Sequence, residues 1–132
     1  MQIIPASHHD LIDPKTKAIA YLATTMANGA PQVTPVWFNV EGEHILINSA
    51  AGRVKDRNMR ARPQVALLIS DPADPYRYVQ VHGRVVAMIE EGAEEHIAFL
   101  AGIYWGKAEF PVPAGDVRVI YKIKPEKIST RK

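Results

Sequence analysis

The residues best suited to chemistry are Gly52-Arg53-Val54-Lys55-Asp56-Arg57-Asn58, which follow an apolar run ending at Ser49. The glycine permits a tight turn, and the helix that opens after it carries several cations. Free amide donors and the positive end of a helix favour an anion such as phosphate, and Arg and Lys side chains add charge-assisted bonds. Residues 53–62 hold the cations Arg53, Lys55, Arg57, Arg60 and Arg62 against the lone anion Asp56. At helical spacing Arg53, Arg57 and Arg60 share one face and Lys55 points elsewhere, so they cannot all reach one anion. A solvated basic helix is the competing reading.

Two further features could serve a ligand. Pro35-Val36-Trp37-Phe38 reads as mid-strand, yet proline cannot donate to a ladder, which predicts an edge or a bulge there. Backbone groups left free in that way could meet a planar ligand; a core strand with an awkward proline is the alternative. Tyr76, Tyr78, Tyr104, Trp105, Phe110 and Pro111 form an aromatic and proline-rich set. Taken singly, each reads as core; together they could line a ring system or a dimer seam.

Other chemistries leave no trace. No dinucleotide or phosphate-loop glycine motif, zinc-protease motif or serine-hydrolase elbow occurs. The chain has no cysteine, which excludes disulfides, a cysteine nucleophile and thiolate metal sites. Its five histidines are scattered. His8-His9 reads as a solvated pair at a polar chain end rather than a metal site, and His82 as a strand-surface residue. No metal is expected. Sixteen basic and fourteen acidic residues give a net charge of +2, too little to draw the chain to nucleic acid. No apolar run approaches the roughly 20 residues that cross a bilayer. The amino terminus lacks the pattern of a signal peptide, so no membrane partner and a cytoplasmic location are expected.

The elements that must position these residues read as one domain over residues 1–132. Ser7 is placed to cap a short helix over residues 8–13. Apolar or β-branched runs at residues 18–25, 32–40 and 44–49 form a meander around the turns Asn28-Gly29 and Glu41-Gly42-Glu43. A helix follows over residues 53–62, stopped by Pro63. Residues 65–70 and 76–89 read as strands, with Gly83 predicting a bulge or bend. Residues 90–104 fit a helix with Ala93, Ile97, Leu100 and Tyr104 on its apolar face. Residues 106–116 read as loop, and residues 117–123 alternate as a half-buried strand. The result is a mainly β class: a six-stranded antiparallel barrel with appended helices. The absence of βαβ alternation argues against a doubly wound nucleotide fold.

In order and spacing, the chain resembles the pyridoxamine 5'-phosphate oxidase-like split-barrel superfamily, and within it the deazaflavin-dependent oxidoreductases. The resemblance rests on Leu22-Ala23-Thr24-Thr25, on Gly29-Ala30-Pro31-Gln32-Val33-Thr34-Pro35-Val36-Trp37-Phe38 and on Ile47-Asn48-Ser49-Ala50-Ala51-Gly52-Arg53-Val54-Lys55-Asp56-Arg57-Asn58. It continues through Pro63-Gln64-Val65-Ala66-Leu67 and Asp71-Pro72-Ala73-Asp74-Pro75-Tyr76-Arg77-Tyr78. It implies a six-stranded split β-barrel of the FMN-binding type, a homodimer, and cofactor sites at the dimer interface. It implies that Lys55 and Arg53 hold the cofactor phosphate beside Ser49 and Ala50, that Pro35, Val36 and Trp37 line the ring, and that Tyr78 lies near it. Asn58 recurs in the pattern as a binding or a structural residue. The implied cofactor is coenzyme F420, with FMN as the alternative, and the implied activity is hydride transfer to a small conjugated substrate. A non-catalytic flavin, haem or biliverdin carrier is the competing implication. Arg118, in the last strand, is expected to tolerate substitution.

Overall fold

The computed structural model describes residues 1–132. Two short 3-10 segments, Ala6–Ile12 and Pro14–Thr16, precede β1 (Ala20–Thr25), β2 (Pro31–Val36), β3 (Phe38–Glu41) and β4 (His44–Ala50). Then come α1 (Val54–Ala61), β5 (Gln64–Asp71), β6 (Asp74–Ile89), α2 (Ala93–Trp105) and β7 (Arg118–Arg131). No helix is long and apolar enough to cross a membrane.

The strands form one sheet in the order β2-β1-β5-β6-β7-β4-β3, and every pairing is antiparallel. That order contains a geometric demand. β2 and β3 are the two edges of the sheet, yet only Trp37 separates them in the chain. Seven flat strands would put the edges about 29 Å apart at ~4.8 Å per step, whereas one residue spans at most about 3.5 Å. The sheet must therefore curl until its edges meet, which makes it a split barrel with Trp37 in the seam.

This is also why the expected six strands are seven. The run read as one strand over residues 32–40 leaves β1 at Val36 and joins β4 at Phe38. Pro35 lies on an edge strand, opposite Tyr21, so its missing N–H costs no ladder bond on the open side.

Inside the barrel, strand alternation delivers Leu22, Ile45, Ile47, Leu67, Val81 and Ile123, all nearly sealed from solvent. β6 bends where its pairing with β7 shifts between His82 and Gly83. A Cβ on Gly83 would lie 2.4 Å from the carbonyl oxygen of Lys124, so the close approach of the two strands requires glycine. β7 extends to Arg131, well past the expected end at residue 123. Its alternation is obscured by Lys124-Pro125-Glu126-Lys127, but β6 pairs with it throughout. Pro125 is tolerated because the β4 pairing has ended at Ile123 and the bulge lies opposite.

The amino-terminal segment differs from its reading. A short helix is there, of the 3-10 type and over Ala6–Ile12, but Ser7 does not cap it: the Ser7 hydroxyl pairs with His8 Nδ1 at 2.8 Å. His8 is buried rather than solvated, with its Nε2 3.1 Å from the carbonyl oxygen of Arg131. His82 is exposed on β6, as expected.

Candidate functional site: a cationic cleft with an aromatic wall

A cavity of about 550 Å³ opens along the seam. Ile19, Tyr21, Pro35 and Val36 supply one side from β1, β2 and the approach to β1. Asn48 and Ser49 at the end of β4, with Arg53 and Lys55 just beyond, supply the other. Trp37, Ile97, Trp105 and Phe110 complete an apolar wall.

The cationic end begins where β4 stops. Gly52 has φ +90°, a conformation that favours glycine, and the turn throws Arg53 and Lys55 back toward the cavity. Asp56 holds this turn. Its carboxylate is buried and accepts from the Gly52 N–H at 2.9 Å, from Arg60 Nε at 3.0 Å and from the Tyr121 hydroxyl. Burial opposes its charge, but the bonds from Tyr121, Gly52 and Arg60 prevail and hold the carboxyl below its ordinary range. The Tyr121 hydroxyl is driven up, first by burial and then by its bond to Asp56.

Lys55 takes part in no ion pair within the chain. Burial, and then the nearby charges of Arg53 and Arg118, lower its pKa. Arg53 has only Asp116, at 3.7 Å, as an opposing charge. Ser49 is 1% exposed, and its hydroxyl is sealed from solvent without a hydrogen-bond partner. Two cations, Arg53 and Lys55, and an unsatisfied hydroxyl thus converge on one end of an apolar cleft, with the charge of Arg118 close enough to be felt there. A bound anion would relieve both the repulsion and the missing bond.

Arg118 overturns its expectation. It is 5% exposed, donates from Nε to Asn48 Oδ1 at 2.9 Å, and lies 5.3 Å over the Phe110 ring. A cation so placed is no neutral control. Asn48 in turn donates from Nδ2 to the Ala93 carbonyl at 2.9 Å and to His96 Nδ1 at 3.1 Å. His96 therefore accepts at Nδ1 and donates from Nε2 to Asn39 Oδ1 at 2.8 Å. Burial pushes the His96 pKa down to about 4, which keeps the ring neutral.

The aromatic wall is organised by Trp37. Tyr104 stacks on it at 5.2 Å, and Trp105 meets it edge-on at 4.7 Å. Phe110 stacks on Trp105 at 5.6 Å. The Tyr104 hydroxyl donates to the Ala18 carbonyl at 2.6 Å and receives the Phe38 N–H at 3.4 Å, so it bridges the two sides of the seam. Burial raises its pKa to about 12. The core reading fails for Trp105, which is 58% exposed, and for Tyr76, which is 75% exposed.

Of the residues singled out for binding, Pro35, Val36, Trp37, Ser49, Arg53 and Lys55 gather around this one cavity. Ala50 is buried next to them without lining it. Asn58 is buried and donates to Thr24 Oγ1 at 3.0 Å, tying α1 to β1 away from the cavity. Tyr78 pairs with Ser70 and Arg131 and lies outside the cleft of the single chain. The arginines of α1 and its C-cap are engaged by their own chain. Arg57 bonds the Gly52 carbonyl, Arg60 bonds Asp56, and Arg62 bonds the Thr25 carbonyl. Sequence reasoning missed Asn48, His96, Asp56 and Arg118. Only Asp56 had a local signal, an acidic residue three positions past the Arg53 N-cap of a helix.

Comparison with known proteins agrees with this fold. The family model described as pyridoxamine 5'-phosphate oxidase matches residues 11–132. A solved structure named F420 reductase is 31% identical, covers 96% of this chain and 98% of its own, and superposes with a TM-score of 0.83. A conserved hypothetical protein from Mycobacterium tuberculosis, 20% identical over 97% of this chain and 85% of its own, gives a TM-score of 0.74. HupZ of Group A Streptococcus, 20% identical over 96% of this chain and 93% of its own, gives 0.70. No curated protein matches the chain. With a matched model spanning nearly its whole length and the split barrel that goes with it, this chain belongs to the pyridoxamine 5'-phosphate oxidase family.

Proposed function

We propose that the chain is an oxidoreductase that works as a homodimer and holds coenzyme F420 in the seam cavity. The observation that carries this reading is Lys55: a half-buried cation with no carboxylate partner, crowded by Arg53 and Arg118, at the end of an apolar slot. The residues fit a planar group with an anionic tail. Lys55, Arg53 and the Ser49 hydroxyl would take the phosphate, with Ala50 close behind. Pro35, Val36 and Trp37 would line the ring. The 31% identical F420 reductase favours the deazaflavin over FMN. Tyr78 is assigned to the ring end through the dimer, and Asn58 to holding α1 in place.

The bound deazaflavin supplies a hydride for a small conjugated substrate. The chain supplies orientation, phosphate capture and exclusion of water. Neither Tyr104, whose hydroxyl already donates to the Ala18 carbonyl, nor His96, neutral with both nitrogens engaged, is free to donate a proton, and the protic side chains that line the cleft are Tyr21, Ser49, Lys55 and their neighbours. Apolar side chains left on the outside, among them Val33 and Val86, give a second copy something to cover.

Equilibrium titration with F420 and with FMN, side by side, tests the reading, with light scattering for the assembly. Saturable binding with F420 preferred, by a dimer, is expected. Binding of neither tricycle, or of FMN alone, would overturn the F420 assignment. Turnover of a conjugated acceptor with reduced F420 separates an enzyme from a carrier.

A further inference from the structure

We infer that Arg118 is a direct ligand of the same anion as Lys55 and Arg53, aimed by a chain of hydrogen bonds through Asn48 and His96. The inference rests on the cofactor reading above and adds a residue to it.

Register places Arg118 there. β7 pairs with β4 so that Arg118 lies opposite Ala50, the last residue before the Gly52 turn. The next link, Ala51 N–H to the Val117 carbonyl at 2.8 Å, ties β7 to the turn itself. Arg118 thus stands across one ladder from the segment that presents Arg53 and Lys55. The proximity is felt electrostatically: after burial, the charges of Arg53 and Arg118 lower Lys55, and after burial Arg53 lowers Arg118 against the opposing pull of Asp116.

Only one edge of the guanidinium is used within the chain. Nε bonds Asn48 Oδ1, and no hydrogen bond or ion pair engages either Nη. Neither Nη is among the buried atoms sealed from solvent without a partner, which are Thr34 Oγ1, Ser49 Oγ and Asp116 Oδ2. The fork is therefore held at its base with its tips unpaired, the geometry that suits Arg to phosphate oxygens; Arg118 is not itself among the residues that line the cavity, so it would meet the anion at the rim, beside Phe110, which does line it.

The aim is set from behind. Asn48 can accept from Arg118 only if its amide group points the other way, and there it meets the Ala93 carbonyl and His96 Nδ1. Asn39 accepts from His96 Nε2 and closes the chain. The Phe110 ring beneath the guanidinium limits its remaining motion. Asn48 and His96 are positioning residues in this arrangement; Arg118 touches the ligand.

The test compares ligands with and without the anion: FMN against riboflavin, and F420 against the deazaflavin alcohol that lacks the phosphodiester. Arg118→Gln is expected to weaken the phosphorylated member at least tenfold and to leave the phosphate-free member within about twofold. A purely structural role would weaken both members alike, which overturns the assignment, as does an unchanged ratio. If Arg118→Gln does not fold, Arg118→Lys keeps the charge and loses the fork, and the ratio must then fall at least threefold; an unchanged ratio overturns the assignment there too. Unmutated protein that binds neither tricycle overturns the cofactor reading and this inference together. A normal Lys55 effect with a silent Arg118 overturns this inference alone.

Discussion

Lys55→Met separates a binding cation from a structural one, because it should move stability and affinity in opposite directions. Methionine keeps most of the apolar stem and removes the charge. In the free protein that charge is a burden, since burial and the charges of Arg53 and Arg118 all disfavour it. A group whose folded pKa lies below its unfolded one carries fewer protons when folded, so stability rises with pH across the interval between the two values. Below that interval the ammonium costs stability. Removing one repelling, half-buried cation should return about 0.5–1 kcal/mol, or about 2–4 °C in Tm for a chain of this size. Binding should move the other way. A hydrogen bond to a charged group contributes about 1.5–3 kcal/mol, which corresponds to roughly 10- to 150-fold in Kd at ~1.4 kcal/mol per decade. A pH signature should accompany it: in unmutated protein, affinity for the anion falls as pH rises through the lowered Lys55 pKa, and the variant lacks that slope. Scanning calorimetry and fluorescence titration with F420 and FMN read both quantities on one preparation. A variant that melts lower than the parent while binding both ligands unchanged would refute the reasoning.

Tyr121→Phe should destabilise the fold by about 1.5–3 kcal/mol in urea denaturation, because it takes a donor from the buried Asp56 carboxylate; it should weaken the cofactor only through loosening of the Gly52 turn. His96, lowered by burial to about 4, contributes stability that is complete above its ordinary value near 6.5 and is lost as pH falls toward 4. His96→Gln should flatten that part of the stability–pH curve, and NMR of the parent should show one imidazole that stays neutral above pH ~5. Gly83→Ala places a Cβ against the Lys124 carbonyl and should cost about 2 kcal/mol or more in thermal unfolding without a change in ligand selectivity.

What could be learned without coordinates was local. Gly52 followed by a cationic helix, Pro35 in a strand and Gly83 inside the longest strand each declare a backbone constraint that belongs to the residue itself. The six gathered residues of the cleft come from two such segments, and a family resemblance joined them. Local patterns stop at the element, however. Alternation shows which face of β7 is buried and says nothing of what that face meets. Arg118 looked neutral because its meaning depends on the β4–β7 register, which sets it opposite Ala50, where its charge reaches Lys55. The run over residues 32–40 looked like one strand because only closure of the barrel requires a break at Trp37. The arginines of α1 looked alike, yet Asp56, Gly52 and Thr25 engage three of them and leave Arg53 near the cavity. Backbone conformation is encoded within a few residues, whereas the charge that a buried group meets is decided by strands far apart in the chain. Tertiary structure alone decided where the cations meet.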